Sequence, residues 1–280
     1  MLSYRHAFHA GNHADILKHL CLVGVLESMT KKDKNFTAID AHAGAGIYFL
    51  DDERAIKTGE SQVGILSLYQ KFLANKENSE IPNLVKNYLH FVEPYLKNNQ
   101  YPGSPEIIRK FLRTGDKEFL FELHNTEIEI LKSNIKDSRV TILHQNSFEN
   151  LKSVVPPLIK RGLLLIDPSY EVSSDYENSA NSLILAYKKW NVAVLCLWYP
   201  LLKHRKSECE MMLDKIKTSI KILSKEKEIQ IDNFQLLVDS PEKEMGLYGS
   251  GMLIVNTPWQ LKEKILDSIL FLEQNFVTCK

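Results

Sequence analysis

GLLLIDPSYE, residues 162–171, decides the fold. An unbroken apolar run from Leu163 to Ile166 needs cover on both faces, as a central strand of a parallel sheet has. A half-exposed strand would alternate instead. Pro168 then ends the ladder, because it has no N–H to give to a neighbouring strand. Asp167 is left at the carboxyl end of a buried strand, the edge at which open α/β sheets bind their ligands.

Similar runs lie on both sides. FTAID (36–40), FLFEL (119–123), VTIL (140–143), VAVLCLWY (192–199), IQIDNFQLLV (229–238, with a break) and GMLIVN (251–256) read as further strands. A helix is predicted over 13–29, where Ile16, Leu20, Val23 and Leu26 recur at helical spacing behind Asn12, an N-cap residue. Further helices are predicted over 105–113, 126–135, 147–160, 176–190 and 203–224. Alternation of this kind predicts a doubly wound α/β fold with a seven-stranded, mostly parallel sheet. The last two strands are close in sequence, which suggests one antiparallel edge strand. Residues 51–100 differ: they are charged, helical in period around Leu66, Leu68 and Tyr69 and around Leu84, Tyr88 and Phe91, and show no strong strand. They read as a helical insertion in a domain made of 1–50 and 101–280.

Bulk properties exclude several classes. The chain has 280 residues, 44% hydrophobic and 25% charged, which is ordinary for a soluble globular protein. Basic and acidic residues balance at 35 each, so any nucleic-acid surface is a local patch. The stretch Lys203 to Lys206 is the most basic, but Glu208, Glu210 and Asp214 follow it. A solvated helix face is its default reading and a phosphate-contacting edge the alternative. Cys21, Cys196, Cys209 and Cys279 are scattered, which fits a reducing compartment and argues against a disulfide framework. No apolar run reaches membrane-spanning length, and the polar start lacks the apolar core of a signal peptide. A cytoplasmic protein without a membrane partner is expected, and a monomer. His6, His9, His13 and His19 cluster, yet no H-E-x-x-H motif or cysteine pair completes a zinc set, so no metal is expected.

The strand ends carry the candidate chemistry. AHAGAG (41–46) follows the first strand, and its small residues let a ligand approach the backbone. Its spacing is not that of a dinucleotide fingerprint, and no lysine follows as in a phosphate-binding loop, so a ligand without phosphates suits it. Glu122 ends FLFEL, where an acid can accept the hydroxyls of a ribose. Asn146 and Ser147 follow the third strand, and Asn146 can either hydrogen-bond an adenine edge or cap a helix. After the fourth strand, the Asp167 carboxylate and the Pro168 carbonyl offer two acceptors, with the Tyr170 ring nearby for stacking. That set suits an aromatic amine such as adenine N6. Two acceptors take its N–H bonds and aim the nitrogen lone pair at an electrophilic methyl.

This arrangement resembles the class I, Rossmann-like methyltransferases with a D/N-P-P-Y/F motif, which act on exocyclic amino groups of nucleic-acid bases. Six blocks narrow the resemblance: MLSYRHAFHAGNHADILKH (1–19), DAHAGAG (40–46), TGE (58–60), YPGSP (101–105), ELH (122–124) and IDPSYE (166–171). Together, in this order and across nearly the whole chain, they are similar to the RlmJ family. Those enzymes are bacterial S-adenosylmethionine-dependent methyltransferases of one adenine N6 in 23S ribosomal RNA. The resemblance implies that His19, His42, Ser104, Glu122, Asn146, Ser147 and Asp167 form the cofactor pocket, with Lys18 beside it. It further implies that Asp167 is catalytic and that Tyr4, Pro168 and Tyr170 meet the RNA. Two positions depart from the family: Ser169 stands for the second proline, and Asn146-Ser147 for the usual Asp-Gly. Two rivals stay open, a DNA adenine-N6 methyltransferase and a non-catalytic RNA-binding module with this fold.

Overall fold

A computed structural model of the chain describes residues 5–74, 80–225, 227–242 and 246–276. Asn12 starts α1 (His13–Thr30), its Oδ1 accepting the Asp15 N–H at 2.9 Å. Helix α1 is apolar on every face and is covered accordingly. Ile16, Leu17, Leu20 and Leu22 are fully buried. Then come β1 (Thr37–Asp40), β2 (Ile47–Phe49), α2 (Glu53–Thr58), α3 (Ser67–Ala74), α4 (Asn83–Leu96), β3 (Gln100–Pro102) and α5 (Ser104–Phe111). The rest of the chain gives β4 (Lys117–Phe121), α6 (Asn125–Asn134), β5 (Val140–Leu143), α7 (Ser147–Asn150), β6 (Gly162–Ile166), α8 (Ser174–Lys189) and β7 (Val194–Leu201), followed by α9 (Lys206–Leu223), β8 (Ile231–Leu237), β9 (Gly249–Val255) and α10 (Leu261–Phe276).

The main sheet has seven strands in the order β5-β4-β1-β6-β7-β9-β8. The first five of that order are mutually parallel, with Asp40 of β1 in register with Leu120 of β4 and Leu165 of β6. The chain leaves β1 in one direction to β4 and in the other to β6, so the switch point lies at the carboxyl end of β1. Helix α1 packs against β9, α4, α5 and α10, while α8 and α9 pack together over β7 on the other face.

Three expectations need correction. The antiparallel strand is β9, which is not at the edge; it lies between β7 and the edge strand β8 and pairs antiparallel with both. The helix expected over 147–160 is only α7 and a short 3-10 turn at Leu151–Ser153, because Pro156 and Pro157 cannot continue it. Strands β2 and β3 were not expected; they pair antiparallel, Ile47 opposite Pro102, and join the two ends of the 51–100 stretch. The helices of that stretch do not build a core of their own. Leu68, Phe72, Leu84, Tyr88 and Val92 pack in one cluster with α1 and with Leu163 and Cys196 of the sheet.

Candidate active site

Every main-sheet loop near the switch point contributes to one cavity of about 400 Å³. Ala41 to Gly44 come from the end of β1, Phe121 to His124 from β4, Gln145 to Phe148 from β5, and Asp167 to Ser169 from β6. The start of α1 closes one side with Asp15, Lys18 and His19.

At the centre, Lys18 holds Asp167. Its Nζ lies 2.6 Å from Asp167 Oδ2 and 2.8 Å from Asp15 Oδ1, and all three side chains are largely buried. Asp15 Oδ2 in turn accepts from His6 Nε2 and from the Gly11 N–H, each at 2.9 Å. Burial works against the Lys18 ammonium, but the Asp15 and Asp167 carboxylates outweigh it and hold its pKa well above the usual lysine range. Burial opposes the Asp15 charge in the same way, and His6 and Lys18 overcome it, so its pKa falls well below the carboxylate range. Asp167 Oδ1 accepts no hydrogen bond from any described residue, so one oxygen is anchored and the other is left for a ligand.

Three loops meet at His42. Its Nδ1 accepts the Asp167 backbone N–H at 3.2 Å, and its Nε2 lies 3.1 Å from Ser147 Oγ. Burial lowers its pKa to about 3, so the ring is neutral at ordinary pH. Because Nδ1 accepts, Nε2 carries the proton and donates to Ser147. Asp40, at the end of β1, accepts the His42 N–H. Burial raises its pKa to about 6, against hydrogen bonds from Ser104 and His42 and with help from the Asp167 charge.

Glu122 closes the loop after β1 from below. Its Oε2 accepts the Gly44 N–H at 2.8 Å and its Oε1 the His124 N–H at 2.6 Å. Gly44 has φ +62, and a Cβ there would collide with the Tyr48 hydroxyl, so glycine is required. Burial raises the Glu122 pKa, partly offset by those two N–H groups. Asn146 does act as a cap: its Oδ1 accepts the Phe148 N–H at 3.1 Å at the start of α7.

A family model described as ribosomal RNA large subunit methyltransferase D, RlmJ, matches residues 33–280. The chain belongs to the RlmJ family. It is 37% identical to the ribosomal RNA large subunit methyltransferase J of Escherichia coli (strain K12), over 99% of this chain and 95% of that protein. The Haemophilus influenzae protein of the same name is 32% identical over the same shares. A crystal structure of a Legionella pneumophila protein superposes with a TM-score of 0.82 at 31% identity, covering 96% of this chain and 94% of that one.

The candidate residues of this RlmJ-family chain can now be placed. His19, His42, Ser104, Glu122, Asn146, Ser147, Asp167 and Pro168 all line the cavity, with Lys18 among them. Tyr170 does not reach that wall. It is buried with φ +54, its ring packs against Tyr176 and Trp198, and its hydroxyl donates to the Trp198 carbonyl at 2.8 Å. Tyr4 lies outside the described residues. His6 and His9 are engaged by Asp15 and Glu60, and no group of three or more potential ligands for a metal ion occurs among the described residues. Sequence reasoning missed Asp15, Asp175, Asn178 and Trp198, all on the cavity wall. Asp15 carried a signal, since it stands three residues before Lys18 on one helix face. Trp198 follows Leu197, which pairs with Ile166, so it sits beside Asp167.

Proposed function

We propose that this chain transfers the methyl group of S-adenosylmethionine to N6 of one adenine in 23S ribosomal RNA. The carrying observation is the Asp167 carboxylate, fixed through Oδ2 by Lys18 and left at the cavity wall with Oδ1 unpartnered among the described residues. The cavity suits this cofactor. Among the described residues that line it, the one lysine or arginine, Lys18, is committed to two carboxylates, so it is not set for a phosphate. Asp15, Glu122 and Asp167 favour a positively charged ligand, and His19 Nε2, buried on a side chain that lines the cavity, has no partner among the described residues. His19, His42, Ser104, Glu122, Asn146, Ser147 and Asp167 would hold the cofactor, and when bound it supplies an electrophilic sulfonium methyl.

The residues of the chain do the positioning. Asp167 Oδ1 and the Pro168 carbonyl accept the two N6–H bonds and turn the nitrogen lone pair toward the methyl. Lys18, held on Asp167 Oδ2, stops the carboxylate rotating. The extra proton on the methylated nitrogen is strongly acidic and leaves after transfer, so Asp167 need not be a strong base. Pro168, Tyr4 and Tyr170 are assigned to the RNA side. For Tyr170 this requires the loop after Asp167 to move, because its ring is packed against Tyr176 and Trp198. The proposal includes a monomeric enzyme working on RNA in the cytoplasm. No helix of the described residues is long and apolar enough to cross a membrane. The division into a methyltransferase domain (1–50, 101–280) and a helical insertion (51–100) belongs to the same reading. Its support is that 51–100 gives the main sheet no strand among the described residues.

The test is methyl incorporation from labelled S-adenosylmethionine into 23S ribosomal RNA from a strain lacking the gene, with duplex DNA in parallel. Digestion and mass spectrometry should find N6-methyladenosine at one site in the RNA alone. Methylated DNA with unmethylated RNA would overturn the proposal in favour of a DNA enzyme, and no product on either would favour a binding module.

A further inference from the structure

Three buried polar groups stand in a row behind the cavity. His19 Nδ1 lies 2.8 Å from the Tyr101 hydroxyl, and that hydroxyl lies 2.8 Å from the Tyr88 hydroxyl. Tyr88 comes from α4, Tyr101 from β3 and His19 from α1, and none of the three side chains reaches solvent. The hydroxyl hydrogens can run along this row in one of two directions. If His19 Nδ1–H donates to Tyr101, then Tyr101 donates to Tyr88, and the Tyr88 O–H is left without an acceptor. If Tyr88 donates to Tyr101 and Tyr101 donates to His19 Nδ1, both O–H donors are satisfied, and the only unfilled site on Tyr88 is a lone pair. Each direction leaves one donor over, the Tyr88 O–H in the first and the His19 Nε2–H in the second, but only the second leaves it on a side chain that lines the cavity, where a ligand can accept it. The second direction therefore wins.

That direction settles the histidine. With Nδ1 accepting, the proton of the neutral ring sits on Nε2. Nε2 is buried and has no partner among the described residues, on a side chain that lines the cavity. Burial holds the His19 pKa well below the usual range, with Lys18 and His6 adding to it against Asp15, so the ring is neutral. We infer that Tyr88 and Tyr101 are positioning residues: they lock His19 in its Nε2–H form, so that it presents a single donor to the carboxylate at the amino-acid end of S-adenosylmethionine. The inference rests on the cofactor reading above. It adds a task for the 51–100 stretch, because Tyr88 reaches the site from within it.

The test reads the tautomer directly. Long-range proton–nitrogen NMR correlation on the full chain with ring-labelled histidine, His19 being assigned by loss of its signals in His19→Gln, should show an unprotonated Nδ1 and a protonated Nε2. Tyr101→Phe should lose that lock and show proton exchange between the two nitrogens. Calorimetry should then find S-adenosylmethionine binding weakened by roughly three- to ten-fold. Methylthioadenosine, which lacks the amino-acid end, should bind wild type and variant alike. A protonated Nδ1 in the wild type overturns the inference, whether or not Tyr101→Phe folds. Equal weakening of both ligands overturns the carboxylate assignment. If S-adenosylmethionine does not bind the wild type at all, the cofactor reading fails and takes the carboxylate with it, while the tautomer result stands separately.

Discussion

Lys18 Nζ and Asp167 Oδ2 meet at 2.6 Å across a chain separation of 149 residues. The contact joins the first turns of α1 to the loop after β6, and it converts a mobile carboxylate into one with a fixed free oxygen. Two loops depend on it, since the Asp167 backbone N–H also anchors His42.

Removing the acceptor should stop the reaction without removing the site. Asp167→Ala is expected to lower methylation by about a hundred-fold or more, while cofactor affinity changes much less. Asp167→Asn should be milder, because an amide oxygen still accepts one N–H bond. Single-turnover rates at saturating cofactor check this, and an Asp167→Ala rate within a few-fold of wild type sinks the assignment.

Removing the cation should cost stability as well. Lys18→Met leaves two buried carboxylates, Asp15 and Asp167, without their shared partner, a loss of about 3–5 kcal/mol when one side of a buried pair is deleted. Adding Asp15→Asn should recover part of that loss. Urea unfolding of the wild type, both single variants and the double is the measurement, and additive losses would mean that Lys18 and Asp15 are not coupled.

Glu122→Ala should weaken cofactor binding by about 1.5–3 kcal/mol if the carboxylate takes charge-assisted bonds from the ribose. It should also lower the melting temperature, because the Gly44 and His124 N–H groups lose their acceptor. Glu122→Gln keeps an acceptor oxygen and should fall between. Calorimetry alongside thermal melts separates the two effects; a lower melting temperature with an unchanged dissociation constant would leave Glu122 a structural role alone.

Asp40 gives the pH dependence. Its pKa rises from 3.8 to about 6 on folding, so the folded state holds the proton more tightly than the unfolded chain does. The stability from this group is full below pH 3.8, declines as pH rises through 6, and is absent above that. The difference is about 3 kcal/mol at 1.36 kcal/mol per unit. Asp40→Asn should therefore stabilise the protein most above pH 6 and least near pH 4. Melting temperatures of the pair across that range decide it, and parallel curves would show that Asp40 does not titrate there.

The sheet was legible because its strands are apolar runs, and apolar runs record burial on both faces. The order of those strands was not. Nothing local in GMLIVN says that β9 pairs with both β7 and β8, because pairing is a long-range choice. The loop residues of the site were legible one strand end at a time, from Glu122 to Asp167. Their partnerships were not: Lys18 with Asp167 and His42 with Ser147 join distant segments, and a single sequence does not display such pairs. Tyr170 shows the other limit. Its type suggested an exposed stacking face, while its φ of +54 turns the ring inward onto Tyr176.

Helix α1 rests on β9 and α10, which are translated about two hundred residues later. Synthesis runs in one direction, so Ile16, Leu17 and Leu20 leave the ribosome long before their native cover exists. The same helix carries Lys18, and with it the grip on Asp167. A nascent chain that already bears both Lys18 and Asp167 therefore still lacks the β9 and α10 surfaces against which α1 is seated.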